Sequence, residues 1–403
     1  MNSAPIQIRT SLLALLTGMM FSVGPMTVDL SLPAMPTIQH EIGSVTLPVE
    51  LTLTILLAGL SLSQFVYGAV ADRYGRRKPL LAALLIYSVG AIAGAFAPST
   101  VGLSVARLFQ AAGFGVAALL IRSAVVDISD ERRTASVFST AVTIVSLASV
   151  VAPTVGGQLL AHFGWRSVFF AMAAYGLLAF IAVAVLLPET LPAERRSGVP
   201  LSRIFGTYAD LLRDRRLAAF CVICAAAAAF QFTYNTGAPS VLIEHYGLSP
   251  ATAGMLFSLI ALSIAFASQL NAILVKWVHP DRILSGGVLV SVIASIAVLI
   301  CVFTDIGGVA ALVAALFVLM STLGFVMGNS MAGAISSAGA RAGAASALVG
   351  VMQFLLGTLG SAFVGLSHVN AGKLMGVALV VLSVGAFAIS FRARPANAGV
   401  APA

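Results

Sequence analysis

The chain has 403 residues, 59% of them hydrophobic and only 9% charged, with a formal net charge of +8. Soluble domains carry about a quarter charged residues, so this composition excludes an ordinary water-soluble protein and points to lipid as the main solvent. The positive balance does not read as a nucleic-acid footprint, because it is spread along short loops between apolar runs.

Charge-free stretches recur at 79–106, 134–165, 167–188, 217–243, 283–304, 306–340, 342–372 and 374–391. A helix needs about 20 apolar residues to cross a bilayer. The sequence predicts twelve such spans, over 11–36, 47–71, 79–97, 101–126, 134–160, 166–187, 217–241, 250–276, 283–303, 307–335, 341–366 and 371–391. No period-two polar alternation runs through them, which excludes an outer-membrane barrel. Threading the spans alternately puts Arg166 and Lys373 on one side and leaves Arg107 and Arg122 inside helices. The other 18 of the 22 Lys and Arg share the opposite side. By the positive-inside rule that side is cytoplasmic and holds both termini. The first apolar run is too long for a signal peptide and is expected to remain as span one.

Span one contains Asp29, the only charged residue between Arg9 and Glu41. Ionising a lone carboxylate there costs about 2.5–3.5 kcal/mol on insertion scales, so a partner is expected. If span one exits near Pro36, Asp29 lies about 10 Å below the outer surface, and Arg107, counted from Val101 in span four, lies about 9 Å below it. The depths match, and a desolvated Asp29–Arg107 pair is the expectation, with Gln110 one turn further along span four. Glu50 opens span two and is a candidate second proton site, although the helix dipole there favours a solvated acid.

Span two ends in "GAVADRYGRRKPLL", Gly68 to Leu81. Asp72 there sits at a helix C-terminus, the wrong dipole end for an acid, and therefore needs cations. Gly75 permits a tight turn, and Arg76, Arg77 and Lys78 anchor a short loop inside. In span five, "VAPTVGGQLL" sets Pro153, Gly156 and Gly157 where a helix can bend or approach a neighbour closely.

A longer charged segment, Pro188 to Leu217, separates six spans from six. Within it Leu201, Ile204, Phe205, Tyr208, Leu211 and Leu212 recur at helical spacing, which predicts a short amphipathic helix on the membrane surface. The expected organisation is an N-terminal six-helix bundle over 1–187, a cytoplasmic linker over 188–216 and a C-terminal six-helix bundle over 217–403. Two such halves rocking about a midplane site is a transporter plan.

In the second half, polar residues stand in apolar spans: Gln231, Tyr234 and Asn235, then Asn271, Asn329 and Gln353. They are candidates for a substrate cavity, or else hydrogen bonds between helices. Met20 and Phe21 of span one are candidates for its apolar wall. Cys221 and Cys224 form C-x-x-C inside a span and read as small core residues. His40, His162, His245, His279 and His368 are scattered singly, which supports neither a metal site nor a histidine relay. No cofactor or metal is expected, and the phosphate loop G-x-x-x-x-G-K-[ST] does not occur, so ATP drive is not expected.

The segment from Gly68 resembles the signature loop of the major facilitator superfamily, with Val70 in place of the usual Leu. "ARLFQAAGFG", Ala106 to Gly115, resembles the fourth-span motif R-x-x-Q-G-x-G, although Ala111 replaces its first glycine. "VAPTVGGQLL" resembles the antiporter motif G-P-x-x-G-G, with Ala152 for glycine. The loop after span eight, "KWVHPDR", is degenerate. "VDLSLPAMP", "IRSAVVDIS", "LPETLPAERR" and "NSMAGA…AGAASALVGVMQFLLG" bring the chain closest to the Bcr/CflA drug:proton antiporters, the bicyclomycin and chloramphenicol resistance exporters.

That resemblance implies an all-α integral membrane fold of twelve helices in two six-helix halves, not an enzyme. It further implies a monomer in a bacterial inner membrane that exports small amphipathic drugs against protons. Asp29, Arg107 and Gln110 would couple the proton. Gly68, Asp72, Gly75, Arg76, Arg122 and Asp127 would form an inner gate. Export of an amino acid or sugar metabolite is the alternative, and a non-transporting membrane sensor with the same fold is a further one. Small molecules, protons and lipid are the expected partners, with no nucleic acid.

Overall fold

The computed structural model describes residues 8–43, 47–191, 201–366 and 370–393, without the side chains of 64–72, 116, 131, 201–205 and 340. Among the described residues there is helix and no strand. Lipid offers the backbone no hydrogen bonds, so each apolar run must satisfy its own amides and carbonyls, and helices do this segment by segment.

The first half of the chain forms α1 (Thr10–Thr27), a 3₁₀ turn (Asp29–Ala34), α2 (Met35–Ile42), α3 (Glu50–Tyr74), α4 (Arg77–Ala95), α5 (Thr100–Ile128), α6 (Glu131–Phe163) and α7 (Trp165–Leu186). The second half forms α8 (Leu201–Leu212), α9 (Arg215–Pro239), a π segment (Ser240–His245), α10 (Pro250–Leu274), α11 (Pro280–Thr304), α12 (Gly308–Ala338), α13 (Ala342–Gly365) and α14 (Ala371–Ala393). Among the described residues eleven helical stretches are long and apolar enough to cross a membrane, the first of them running from Thr10 to Ile42. The 25-residue α3, apolar over its described part Glu50–Ser63, accounts for the remaining predicted span.

Short polar side chains set several helix starts by accepting from free first-turn amides. Ser99 accepts from the Gly102 amide, Asp130 from Arg133, and Asp214 from Arg216 and Leu217. Span one departs from the single helix expected over 11–36. It changes to the 3₁₀ turn after Thr27, and Pro33 in that turn has no amide with which to continue an α-helical ladder.

The chain divides into two compact units, Met1–Leu201 with Gly247–Ser258, and Ser202–Tyr246 with Leu259–Ala403. In the first, α4 packs on α5 and α7, α1 on α6, and α3 on α5. Small residues allow these approaches: a Cβ on Gly90 would meet the Gln110 amide at 2.8 Å. In the second, α9 is the central helix, packed by α12, α13 and α14. Its alanine run 225–229 is buried throughout, as are Cys221 and Cys224, which are free thiols.

Candidate functional site

The first unit buries a cation beside the break in span one. Arg107 of α5 has no exposed surface, and Asp29, in the 3₁₀ turn, is 8% exposed. The expected Asp29–Arg107 ion pair does not form. Instead the guanidinium brackets the turn that carries the acid, with Nη1 donating to the Thr27 carbonyl at 3.3 Å and Nη2 to Ser31 Oγ at 3.1 Å. Nη1 also donates to Gln110 Oε1 at 3.1 Å, and the guanidinium carbon lies 4.9 Å from the centre of the Phe169 ring. Depth counting places Arg107 level with the turn, but a helix's rotation about its axis decides which atoms it meets there.

Other helices brace the same turn. Tyr87 of α4, fully buried, shares a 2.8 Å hydrogen bond with Thr27 Oγ1. From α6, Ser149 comes within hydrogen-bonding reach of the Asp29 carboxyl, and Gly156 lies under the Leu30 carbonyl, with which any Cβ would collide. Gly157 and Pro153 face the other way, against Pro250 and Gly254 of the same unit, where Thr154 and Ser258 share a 2.7 Å hydrogen bond. Glu50 is only 3% exposed, so the solvated acid expected at the start of span two is buried instead.

A second cluster joins the α3–α4 loop to the end of α5. Arg76 Nε pairs with Asp127 at 3.4 Å. Gly75 turns the chain with φ +91°, a conformation that favours glycine. Gly68 and Asp72 lie on α3, and their side chains fall outside the described residues. Among the described residues of this group Arg122 pairs with none. Its guanidinium lies 5.5 Å from the Phe21 ring, which stacks on Phe138.

Sequence reasoning missed Glu189. Its carboxylate accepts from the amides of Arg76 at 2.8 Å and Arg77 at 3.3 Å, supplying an anion to the positive end of α4. Thr190, next to it, donates to Asp127 at 3.3 Å. The only prior signal was the segment "LPETLPAERR", whose acid meets its partners 113 residues back in the chain.

In the second unit the candidate cavity residues separate into two groups. Asn329 donates to Asn271 Oδ1 and to the Phe325 carbonyl, both at 2.8 Å, and Gln353 donates to Cys224 Sγ at 3.2 Å. The first of these bonds joins α12 to α10 and the last joins α13 to α9, while the bond to Phe325 lies within α12. Asn235 is 3% exposed and its Nδ2 has no hydrogen-bond partner, while Tyr234 is buried and Gln231 partly exposed. Met20 is fully buried in the packing of the first unit rather than forming a wall, and Phe21 is partly exposed. Among the described residues no group of His, Cys, Asp and Glu is placed to hold a metal ion.

At the far end of the second unit His245 is not solitary. Its Nε2 lies 2.8 Å from Asp305 Oδ1, to which Tyr246 also donates at 3.0 Å. The hydrogen bonds from His245 and then Tyr246 hold the Asp305 carboxyl below the ordinary carboxylate range.

The sequence profile of the Major Facilitator Superfamily matches residues 10–363. The chain belongs to that superfamily. It is therefore a multi-pass membrane transporter and not an enzyme, and superfamily members carry small molecules, generally as monomers. The MFS-type transporter YdgK of Bacillus subtilis strain 168 is 32% identical over 383 residues, 94% of this chain and 95% of that one. The bicyclomycin resistance protein homolog of Haemophilus influenzae is 26% identical over 301 residues, 74% of this chain and 75% of that one. Among solved structures, a bacterial homolog of the human lysosomal transporter Spinster covers 97% of both chains with a TM-score of 0.75 at 17% identity, a likeness of fold.

Proposed function

We propose that this chain exports small amphipathic compounds in exchange for protons, with Asp29 as proton acceptor and Arg107, oriented by Gln110, as the cation that sets when the acid ionises. The observation that carries this reading is a guanidinium without exposed surface beside a carboxyl that is 8% exposed, in a helix that breaks at that point. A buried cation near a buried acid is a costly arrangement in a membrane helix, and function is its usual justification. The bicyclomycin resistance homolog supports export, as does the glycine of the antiporter motif packed under the same turn.

In this proposal Arg76 and Asp127, with Asp72, close the cytoplasmic side, and Asn235 with Gln231 and Tyr234 faces substrate from the second half. The distribution of Lys and Arg supports a bacterial inner membrane protein with both termini cytoplasmic. The halves act as the 1–187 and 217–403 bundles joined by the 188–216 linker.

Reconstitution in proteoliposomes with an imposed pH gradient tests it. Wild type should move a phenicol, bicyclomycin or a cationic dye against its gradient with counterflow of protons, and Asp29→Asn should lose both fluxes. An Asp29→Asn protein that still pumps uphill at wild-type rates would remove the proton role. Uphill flux of an amino acid or sugar metabolite alone would replace the substrate class.

A further inference from the structure

The backbone around Asp29 has handed one of its carbonyls to Arg107. In a continuous α-helix the Ser31 amide would bond the Thr27 carbonyl, four residues back. Here it bonds Val28, three residues back, at 3.1 Å. The Thr27 carbonyl instead accepts Arg107 Nη1 at 3.3 Å, and the Ser31 hydroxyl, with one proton to give, lies 2.9 Å from the Val28 carbonyl and 3.1 Å from the Thr27 carbonyl. Ser31 Oγ accepts the second guanidinium nitrogen, so both hydrogen bonds from Arg107 to this turn are made to it in its 3₁₀ form.

Neighbouring groups fix the pivot of the turn at Thr27. The Thr27 hydroxyl donates to the Val23 carbonyl, so Tyr87 is the donor in the Tyr87–Thr27 bond and anchors the last residue of α1 from α4. Pro33 lacks the amide that would otherwise engage the Asp29 carbonyl in an α-helix, so the 3₁₀ form forfeits no bond there. Gly156, without a Cβ, lets the Leu30 carbonyl lie close against α6. Titratable side chains packed around this region are Tyr87 on α4, Arg107 on α5 and Tyr175 on α7, while α6 brings Ser149. Tyr175 is committed to the Met19 carbonyl at 3.0 Å.

We propose that Val28–Leu32 is a two-state turn through which protonation of Asp29 chooses the partner of Arg107, and that Ser31 is the positioning residue of this switch. In the 3₁₀ form Arg107 is held by the Thr27 carbonyl and the Ser31 hydroxyl, and Asp29 has no cation, which suits the neutral acid. In the α form the Thr27 carbonyl returns to the Ser31 amide. Arg107 then loses its backbone acceptor, and its freed fork turns to the ionised carboxylate. The covalent change is confined to one O–H bond on Asp29. In the 3₁₀ form Arg107 is hydrogen-bonded but, among the described residues, keeps its charge without a counter-ion and its Nε without a partner, whereas in the α form the carboxylate neutralises it, and this difference is what ionisation of Asp29 supplies to the switch. The switch rests on the reading of Asp29 as the proton site.

Hydrogen–deuterium exchange of the peptide spanning 27–34, followed by mass spectrometry of the full-length protein in nanodiscs, tests it without any substrate. After correction for the intrinsic pH dependence of exchange, wild-type protection should rise through a single transition as pH rises, because α-helical bonds replace poorer 3₁₀ ones. Asp29→Asn should hold the low-protection form at every pH. Ser31→Ala removes one acceptor of Arg107 from the 3₁₀ form, shifting the balance at least about tenfold and moving the midpoint down by about one pH unit or more. Ser31→Thr, which keeps the hydroxyl, should keep the wild-type midpoint. Wild-type protection that does not respond to pH, or a Ser31→Ala midpoint equal to wild type, overturns the switch even where proton-driven export is measured. A transition abolished by Asp29→Asn in a protein that exports nothing supports the switch and removes only the transport reading.

Discussion

Replacing Arg107 by Lys keeps the charge and removes the fork. The guanidinium uses two nitrogens to reach three acceptors, the Thr27 carbonyl, Ser31 Oγ and Gln110 Oε1, at 3.1–3.3 Å. A lysine ammonium on a flexible stem cannot reproduce that planar bridge across the turn. Losing one charged hydrogen bond costs about 1.5–3 kcal/mol, and losing the fork forfeits at least one of them. Proton-coupled transport in Arg107→Lys should therefore fall roughly 10- to 150-fold. Arg107→Met gives the complementary control. It removes a buried charge that has no counter-ion among the described residues, and with it that charge's desolvation cost, and keeps an apolar body against Phe169. Its thermal midpoint in detergent should match or exceed wild type while coupling is lost. The assay pairs a pH-gradient flux in proteoliposomes with a thermal-shift measurement on the same preparation. An Arg107→Lys protein with wild-type coupling would refute the reasoning, as would Arg107→Met losing stability and activity in equal measure.

Three further expectations follow from named contacts. Glu189→Ala strips the anion from the first amides of α4 and should lower stability by about 0.5–2 kcal/mol, read by thermal shift, with Glu189→Asp intermediate. Gly156→Ala drives a Cβ into the Leu30 carbonyl and should depress both expression and transport, whereas Gly286→Ala, with open space around it in α11, should leave both unchanged. Asp305→Asn should lower the thermal midpoint at neutral pH. Because the Asp305 carboxyl is held below its ordinary range, its contribution is present above the usual carboxylate pKa near 4 and fades as pH falls through the depressed value. The gap between variant and wild type should therefore close in acid, and a gap that widened there would contradict the His245 and Tyr246 contacts.

The helices of this fold are legible because lipid makes their signal simple. Runs without charge, punctuated by "ADRYGRRK" and similar loops, mark where chain must cross and where it must turn. What lies within a span is less legible, since helices that are apolar all round show no face. Arg107 could be counted to the level of Asp29, yet which atoms it touches depends on the rotation of α5 and on a change of helical form after Thr27. Pro25 lies inside α1 without ending it, and Pro33 lies inside the turn, so proline alone did not locate the break. Glu50 was misjudged for a related reason: a helix-start acid is solvated only if nothing packs over it, and here it is 3% exposed. Asn271 and Asn329 could have been cavity residues or each other's partners, and sequence has no term for the 58 residues between them.

The grip of Glu189 and Thr190 on the Arg76–Asp127 cluster has a practical consequence for taking the protein apart. These two residues follow α7 and lead into the connecting segment, yet they are fastened to α4 and α5. A version made as two co-expressed polypeptides should be divided beyond Leu191, so that the first fragment carries its own cap. A division only three residues earlier, after Pro188, would send the anion of α4 away on the wrong fragment, and reassembly would then begin with a helix whose leading amides lack their carboxylate.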